Sequence, residues 1–388
     1  MDREAGPGAR LYRQLAQRLR LDVDQGRYAG RLPPEPTLAR ELDVSRGTLR
    51  QALGLLVRQG VLHTIPGRGT FVGGTPGAND AQQGGAVGLV LPSIVRSRAQ
   101  LLVSGVEETL RQAGYAFLLG TSGFDRALEV EQIERILAQG ASGLIVYIVD
   151  GPMDLPLLRR LVADGFPVVL VDRFVPDLPV DSVTVDNLGG AFIAVQHLVS
   201  QGYRRIGYIG TQNVRTSSIV ERMAGYRWAM DVHDLPVSDA LMCVNLHRPQ
   251  GRRASDSERA LGQHNQEVLR RYLGGAHRPD AVFVCNDYVA FQVVDTAIAL
   301  GLRVPDDLAI VGFDNVPTED YSGTPLTTVD QPRHAIGATA ARLLVDRLAG
   351  RRKDPARVVV STRVIVRESS RRASPPVPPV ASLAAARS

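Results

Sequence analysis

Cysteine and lysine are the scarcest of the chemically reactive residues in this chain of 388 residues. The two cysteines, Cys243 and Cys285, are too few for a disulfide framework or a zinc site, and both fall in apolar, strand-like runs. We therefore expect two buried thiols that pack as small apolar side chains. Lys353 is the only lysine, so an enzyme that requires a reactive lysine has a single candidate here.

Long apolar runs are also missing. No run reaches the roughly 18 residues of a bilayer-spanning helix, and the charged N-terminus MDREAGPGARLYRQL lacks the apolar stretch of a secretory signal peptide. We therefore expect a cytoplasmic protein with no membrane partner. The hydrophobic fraction of 44% and the charged fraction of 22% are typical of a globular protein. The net charge of +5 permits a nucleic-acid partner.

Changes of composition divide the chain into four parts. Residues 1–73 are arginine-rich and compact, whereas residues 74–85 have the Gly, Pro, Asn and Gln content of a flexible linker. Residues 86–369 alternate short β-branched runs with helical periodicity. Residues 370–388 are rich in Pro, Ala and Ser, which predicts a disordered tail.

Three helices are predicted in the first part. The first covers residues 11–24 and is amphipathic, a short one covers Thr37–Leu42, and the third begins after Ser45. Ser45 is a suitable N-cap because its hydroxyl can accept a hydrogen bond from a backbone N–H of the first turn.

The third predicted helix carries arginine and leucine on one stripe. Arg46 and Arg50 lie one turn apart and nearly in line with Leu53 and Val57, so the stripe changes from cationic to apolar along the helix. A helix whose N-terminal turns protrude from its domain has this pattern. Protruding arginines, with the hydroxyls of Ser45 and Thr48 beside them, are suited to DNA phosphates and base edges.

A β-hairpin is predicted directly after this helix. The runs VLHTI (61–65) and TFVGG (70–74) flank the segment PGRG, in which Arg68 lies between two glycines. A tip with so little side-chain bulk can approach a DNA groove closely. Each motif alone also fits a solvated arginine face or an ordinary surface hairpin. Their occurrence together, in this order, favours DNA binding.

The segment LPPEPTLARELDVSRGTLRQALGLLVRQGVLHTIPGRGTFV resembles the winged helix-turn-helix domain of GntR-type bacterial transcription regulators. The resemblance covers nearly all of residues 10–73. It implies DNA contacts from the recognition helix and from the wing tip. The candidate DNA-binding residues are Ser45, Arg46, Thr48, Arg50, Gly67, Arg68 and Gly69.

Two positions depart from the pattern of that family. Pro36 replaces an arginine that commonly contacts the DNA backbone, so we expect a weaker affinity and a slightly flatter salt dependence. Gly47 stands where a threonine or another side chain is frequent, which affects the operator sequence that the helix can read.

Residues 86–369 have the pattern of a parallel α/β domain. Apolar strand-like runs begin at residues 86, 117, 143, 167, 205, 281 and 308, and helical stretches lie between them. Several helical stretches end in glycine, as helix C-termini often do. This alternation predicts parallel sheets covered by helices on both faces, and the number of strands favours two doubly wound lobes.

Polar residues follow four of these strand-like runs, as the pairs Pro92-Ser93, Asp172-Arg173, Asn286-Asp287 and Asp314-Asn315. Ligands of doubly wound folds bind at the carboxyl ends of strands. Carboxylates, amides and arginines are the usual partners of sugar hydroxyls in such a cleft. Each pair alone also fits a turn or a helix cap, but four pairs at equivalent strand ends favour a ligand cleft.

The same part of the chain resembles the LacI/GalR-type effector domain, which is similar to periplasmic sugar-binding proteins. The resemblance spans essentially the whole domain, and its motifs include VDR (171–173), ERMAGYRWAM (221–230), CNDYVAF (285–291) and GLRVPDDLAIVGFDN (301–315). It implies effector contacts from Asp172, Arg173, Arg222, Asn286, Asp314 and Gln331.

Two features stand outside this resemblance. Arg98 falls near a position that is often aromatic in the family, and it is a further candidate effector contact, whose charge either favours an acidic or very polar ligand or faces solvent. Residues 247–266 match nothing in the family, and we expect them to form a mobile insertion.

Together the two resemblances imply a regulator similar to the arabinose-responsive GntR repressors. We expect a homodimer that binds double-stranded operator DNA and leaves it when a small-molecule effector, a sugar or sugar derivative, binds between the lobes. No cofactor, metal site or catalytic residue is expected.

Two other functions are less well supported by the sequence. DNA-binding domains of this type also occur fused to pyridoxal-phosphate enzymes, whose Schiff-base lysine could here only be Lys353, in the polar segment AGRRKDP. The chain contains no GxSxG elbow, HExxH motif or phosphate-binding P-loop. An exported sugar-binding protein would need a signal peptide and would leave residues 10–73 without a purpose.

Overall fold

The computed structural model describes residues 7–25, 27–28, 32–58, 61–65, 69–72, 84–94, 97–149, 155–212, 216–247, 254–317 and 323–372. The chain divides into two compact units, unit 1 (Met1–Gln83) and unit 2 (Gly84–Ser388). None of the described helices is both long and apolar enough to cross a bilayer.

Unit 1 is a winged helix-turn-helix, as predicted. Its elements are α1 (Pro7–Asp24), α2 (Glu35–Glu41), α3 (Arg46–Arg58), β1 (Leu62–Ile65) and β2 (Gly69–Val72). The two strands pair antiparallel, with Leu62 opposite Val72. The core is formed by apolar side chains spaced three or four residues apart on the helices, chiefly Leu15, Leu19, Leu38, Leu49, Ala52 and Leu56.

Unit 2 contains two lobes, as predicted. In the first lobe the described strands are β3 (Gly84–Leu91), β4 (Tyr115–Thr121), β5 (Ala141–Val146), β6 (Val168–Val171), β7 (Asp181–Val185) and β13 (Arg357–Val360). They form a parallel sheet in the order β13-β7-β6-β5-β3-β4. The helices of this lobe are α4 (Ser97–Gln112), α5 (Arg126–Ala138), α6 (Pro156–Ala163) and α11 (Arg333–Leu348).

The second lobe repeats this arrangement. Its described strands are β8 (Ile206–Thr211), β9 (Met242–Leu246), β10 (Ala281–Val284), β11 (Ala309–Asp314), β12 (Thr327–Asp330) and β14 (Arg363–Ile365). The sheet order is β14-β12-β11-β10-β8-β9, and only β14 runs antiparallel to its neighbour among these described strands. The helices are α7 (Asn187–Ser200), α8 (Ser217–Val232), α9 (Ala254–Gly274) and α10 (Asp287–Ala299).

The chain passes between the lobes after β7, after β12 and after β13. Strands and helices from distant parts of the sequence therefore complete each lobe. Because the strands of each sheet run parallel, apart from β14, their carboxyl ends lie along one edge, where a ligand can bind.

Helices α4 and α11 of the first lobe approach each other at two glycines. A Cβ atom added to Gly105 would lie 2.2 Å from the carbonyl oxygen of His334, and one added to Gly337 would lie 2.2 Å from that of Leu102. These distances are far below van der Waals contact, so the close packing of the two helices requires glycine at both positions.

The structure differs from the sequence predictions at two domain boundaries. Gly84 and Gly85, predicted to be linker, belong to strand β3. Ser370, predicted to begin the tail, is buried, and its Oγ donates to Thr327 Oγ1 at 2.7 Å. Residues 74–83 of the predicted linker and residues 373–388 of the predicted tail lie outside the described residues. Cys243 and Cys285 are both buried free thiols, as expected.

Candidate functional sites

The start of helix α3 presents the predicted DNA-binding side chains to solvent. Thr48 N donates to Ser45 Oγ at 3.1 Å, and the two hydroxyls lie 2.8 Å apart, which confirms the predicted N-cap. Ser45, Arg46 and Arg50 are exposed. The stripe therefore changes from exposed arginine to buried Leu53, as predicted, but Val57 at its apolar end is 38% exposed.

Arg50 is paired with an acidic residue of the preceding helix. Its Nε lies 2.8 Å from Glu35 Oε2, and the two side chains are 71% and 39% exposed. An ion pair this exposed contributes little to stability, so a phosphate or a base edge can replace Glu35. Pro36 occupies the first turn of α2, where a missing N–H leaves no helical bond unmade.

The predicted wing tip is described only in part. Gly69 begins strand β2, whereas Gly67 and Arg68 lie outside the described residues. The flanking strands form the predicted hairpin. Gly47 has open space around it, since an added Cβ would lie no closer than 3.8 Å to Ser45 Oγ.

A cavity of about 300 Å³ lies between the two lobes of unit 2. Residues from all four predicted strand ends line it, namely Pro92, Ser93, Asp172, Arg173, Asn286 and Asp314. Arg222 of α8 also lines it. Gln331 is not a lining residue but donates from Nε2 to Asp314 Oδ1 at 2.5 Å. Arg98 lies in the first turn of α4, and the structure does not describe its side chain.

Five buried charges of alternating sign form a chain through the cleft. Arg173 Nε lies 3.4 Å from Asp172 Oδ2, and Arg333 Nη1 donates to Asp172 Oδ1 at 3.1 Å. Arg333 Nη2 and Arg222 Nη2 each lie 3.6 Å from Asp314 Oδ1. All five side chains are at most 9% exposed. Arg333 thus joins an aspartate of the first lobe to an aspartate of the second.

Backbone and side-chain contacts hold the two outer arginines in place. Arg222 Nε donates to Asn187 Oδ1 at 2.9 Å, Nη1 donates to the carbonyl oxygen of Cys285 at 2.6 Å, and the guanidinium lies 3.7 Å from the Phe313 ring centroid. Arg173 Nη1 donates to the carbonyl oxygen of Ile148 at 2.7 Å. The cationic groups are therefore fixed before any ligand binds.

The electrostatic environment keeps Asp172 ionised. Burial on its own raises the pKa of this carboxyl, but the charges of Arg333, Arg173 and Arg222 and a hydrogen bond from Tyr147 lower it by more, so that the pKa lies at about 2. Asp172 and Asp314 also adopt positive φ angles of 70° and 123°. Such backbone strain is common at ligand sites.

A second row of contacts joins the lobes beside the cleft. Phe174 N in the first lobe donates to Ser217 Oγ of α8 at 3.1 Å. Arg357 of β13 forms an ion pair with Glu221 of α8, and Glu221 Oε2 accepts a hydrogen bond from Asn187 Nδ2 at 3.1 Å. Because Asn187 also contacts Arg222, this row is connected to the cleft.

Several cleft residues escaped the sequence analysis. Arg333 directly follows the QP pair that precedes helix α11. Its position two residues after Gln331, a candidate effector contact, could have indicated that it lies at the cleft. His247 and Asn265 belong to residues 247–266, which were expected to form a mobile insertion. That expectation needs correction, because residues 254–266 lie in helix α9 and Asn265 is buried against the cleft. Residues 248–253 lie outside the described residues.

The described residues contain no group of three or more His, Cys, Asp or Glu side chains placed to hold a metal ion. Lys353 is exposed and does not line the cleft.

Asn286 has a structural role as well as its place in the cleft, since its Oδ1 caps helix α10 by accepting from Val289 N at 3.0 Å.

Comparisons with known proteins match both units of the chain. The profile of bacterial regulatory proteins of the gntR family matches residues 11–72, and that of periplasmic binding protein-like domains matches residues 195–370. The arabinose metabolism transcriptional repressor of Geobacillus stearothermophilus is 29% identical, and the alignment covers 93% of this chain and 97% of the repressor.

The transcriptional regulator CelR of Thermobifida fusca is 34% identical over 69% of this chain and 74% of its own length. A solved complex of transcriptional regulator CelR with cellobiose has a TM-score of 0.61 and 28% identity, and covers 87% of this chain and all of that one. The chain therefore belongs to the bacterial transcription regulators that join a GntR-type helix-turn-helix domain to a periplasmic-binding-protein-like, LacI-type effector domain.

Proposed function

We propose that this regulator represses transcription by binding operator DNA through unit 1, and that a sugar bound between the lobes of unit 2 releases it. The observation that carries the proposal is the buried chain of alternating charges in the cleft. Its carboxylates accept from sugar hydroxyls and its guanidinium groups donate to them, so it can hold a neutral polyhydroxylated ligand on both counts.

The size of the cleft agrees with this ligand class. A cavity of about 300 Å³ holds on the order of ten water molecules, which is the room that a sugar ring and its hydroxyls occupy. The similarity to an arabinose repressor and to a regulator solved with cellobiose supports a sugar or sugar derivative. The proposed effector contacts are Arg98, Asp172, Arg173, Arg222, Asn286, Asp314 and Arg333. Gln331, which the sequence predicted as a contact, lies outside the lining and orients Asp314.

The DNA-binding half of the proposal is supported by the exposed arginines at the start of α3 and by the gntR-family match over residues 11–72. We assign the DNA contacts to Ser45, Arg46, Thr48 and Arg50, with Gly67, Arg68 and Gly69 at the wing. Residues 74–83 would act as a linker between the two units.

Coupling between effector and DNA follows from the contacts that cross the cleft. A ligand that binds both lobes stabilises their closed arrangement, which already includes the Arg333 bridge and the Arg357–Glu221 pair. A difference of about 1–3 kcal/mol in ligand affinity between two arrangements changes operator affinity about 5- to 150-fold.

We further propose a homodimer, because paired recognition helices read a pseudo-palindrome with half-sites about one or two helical turns apart. Light scattering on the full-length chain tests this state. Because bacterial operator DNA lies in the cytoplasm, this function places the protein there, with no catalytic role.

The proposal is tested by fluorescence anisotropy with DNA from upstream of the protein's own gene, at fixed salt, with and without a panel of pentoses, hexoses, disaccharides and sugar acids. We expect tight binding that one sugar weakens. Binding that no sugar affects would refute the effector class. No binding to that DNA even at low salt would contradict DNA binding through unit 1.

A further inference from the structure

The backbone of His247, directly after strand β9, orients the amide of Asn265 on helix α9. Its Oδ1 accepts from His247 N at 2.9 Å, and its Nδ2 donates to the carbonyl oxygen of His247 at 3.1 Å. A backbone N–H can only donate and a carbonyl can only accept. The orientation of the Asn265 amide is therefore fixed. The side chain is only 4% exposed, so water does not compete for these bonds.

Asn265 in turn fixes the amide of Gln292 on helix α10. The second hydrogen of Asn265 Nδ2 is donated to Gln292 Oε1 at 3.2 Å. Gln292 lines the cleft, and its Nε2 has no hydrogen-bond partner among the described residues. With Oε1 engaged, the polar group that Gln292 offers to a ligand is the Nε2 donor.

We propose that Asn265 is a positioning residue for effector specificity: it fixes Gln292 as a donor, so the effector must present an acceptor oxygen there. This inference rests on the proposed function, because it takes the cleft as the effector site. The preferred ligand carries a ring oxygen, glycosidic oxygen, carbonyl, carboxylate or hydroxyl at this end. An ammonium group, which can only donate, is disfavoured.

Gln292 therefore adds one oriented hydrogen-bond donor to a cleft whose charge chain already holds both acceptors and donors. The edge-on contact between the His247 and His264 rings, with centroids 4.4 Å apart, packs beside the Asn265 contact. Helix α9 thereby gains a role in selectivity, because its Asn265 sets which group Gln292 offers to the ligand.

Substitutions that reverse the polarity provide the test. In N265D the carboxylate can only accept, so Gln292 must rotate its amide and donate to residue 265, which turns its oxygen toward the ligand. Q292E presents an acceptor directly. N245D makes the same chemical change on β9 at an exposed position outside the cleft and is the matched control.

Binding is measured by calorimetry on the full-length chain without DNA. The probes are D-glucose, D-galactose, D-ribose and cellobiose, each compared with its amino-deoxy analogues. We expect wild type and N245D to prefer the parent sugar. We expect N265D and Q292E to shift the ratio of dissociation constants toward the amino analogue by about tenfold or more. In wild type the amino group of the analogue faces the Nε2 donor of Gln292, whereas in the variants it faces an acceptor oxygen. An unchanged ratio with intact binding overturns the inference and leaves the proposed function standing.

A second measurement needs no ligand. The N265D/Q292E double variant places two carboxylates in contact. Above pH 6 its thermal unfolding midpoint should therefore lie about 2–4 °C lower than the value expected from adding the shifts of the two single variants. The extra loss should diminish below about pH 5, as the pair takes up a proton. Additive midpoints at every pH overturn the assigned contact. If no probe sugar binds wild type, the sugar effector and the specificity role of Asn265 both fail, while this cycle still decides whether residues 265 and 292 are in contact.

Discussion

Asp172 and Asp314 occupy corresponding positions in the two lobes. Asp172 follows β6 and Asp314 ends β11, and these strands are third in the order of their respective sheets. Both residues have a positive φ angle. The guanidinium of Arg333 lies between the two carboxylates, 3.1 Å from Asp172 Oδ1 and 3.6 Å from Asp314 Oδ1. One cation thus connects the equivalent acidic groups of both lobes.

Replacing Arg333 should therefore weaken both the fold and the effector site. R333Q leaves two buried carboxylates without their shared cation, and breaking a buried pair lowers the free energy of unfolding by about 3–5 kcal/mol. We expect effector affinity to fall at least tenfold. The control is R342Q, an exposed arginine on the same helix. Equal denaturant midpoints for the two variants would show that Arg333 does not hold the lobes.

The low pKa of Asp172 makes a prediction for acid stability. Its pKa of about 2 in the folded chain lies below the ordinary value of 3.8, so the stabilisation is fully present above pH 4 and is lost as the pH falls toward 2. The shift corresponds to about 2 kcal/mol. In urea titrations, the gap between wild type and D172N should narrow over this range. A gap that is constant from pH 5 to pH 2 would contradict the assigned environment.

The close approach of α4 and α11 predicts a steric effect at two glycines. G105A and G337A each force a methyl group against a backbone carbonyl, so we expect the free energy of unfolding to fall by about 1–3 kcal/mol. G262A on α9 is the matched control, since no atom lies within 4 Å of its added Cβ. Removing glycine from an open helical position should stabilise the protein by about 0.5–1 kcal/mol. Thermal melts should show a lower unfolding midpoint for G105A and G337A and a higher one for G262A.

The exposed arginines of α3 predict the salt dependence of DNA binding. R46A and R50A should each weaken operator affinity by about 1–3 kcal/mol where the arginine reads a base, or reduce the salt slope by about one where it contacts a phosphate. R18A, an exposed arginine on α1, is the control. Anisotropy titrations at several salt concentrations separate the two cases. If both variants bind the operator with wild-type affinity and wild-type salt dependence, α3 is not part of the DNA interface.

The sequence was sufficient for features that depend on local patterns. The helix-turn-helix, the Ser45 cap, the hairpin and most strands of the two sheets follow from apolar periodicity and turn residues. Strands β7, β12, β13 and β14 were not predicted. The last two are only four and three residues long and acquire their pairing from β7 and β12, far away in the chain.

The charge chain of the cleft could be predicted only in part. The positions of Asp172 and Asp314 follow from their place at strand ends. The burial of Arg222 depends on Asn187 and Cys285, which are 35 and 63 residues away in the sequence. Likewise, nothing near Asn265 in the sequence indicates that its amide contacts His247 and Gln292. Such contacts are decided by tertiary packing, which a local pattern does not encode.

The most direct test of the account is the operator affinity of wild type and R222A, each measured by anisotropy with and without the sugar that is effective for wild type. R222A removes one of the two outer arginines of the charge chain and leaves unit 1 unchanged. We expect both proteins to bind the operator equally well without sugar, and the sugar to weaken binding about 5- to 150-fold in wild type only. An equal response in R222A would contradict control of DNA binding through this cleft.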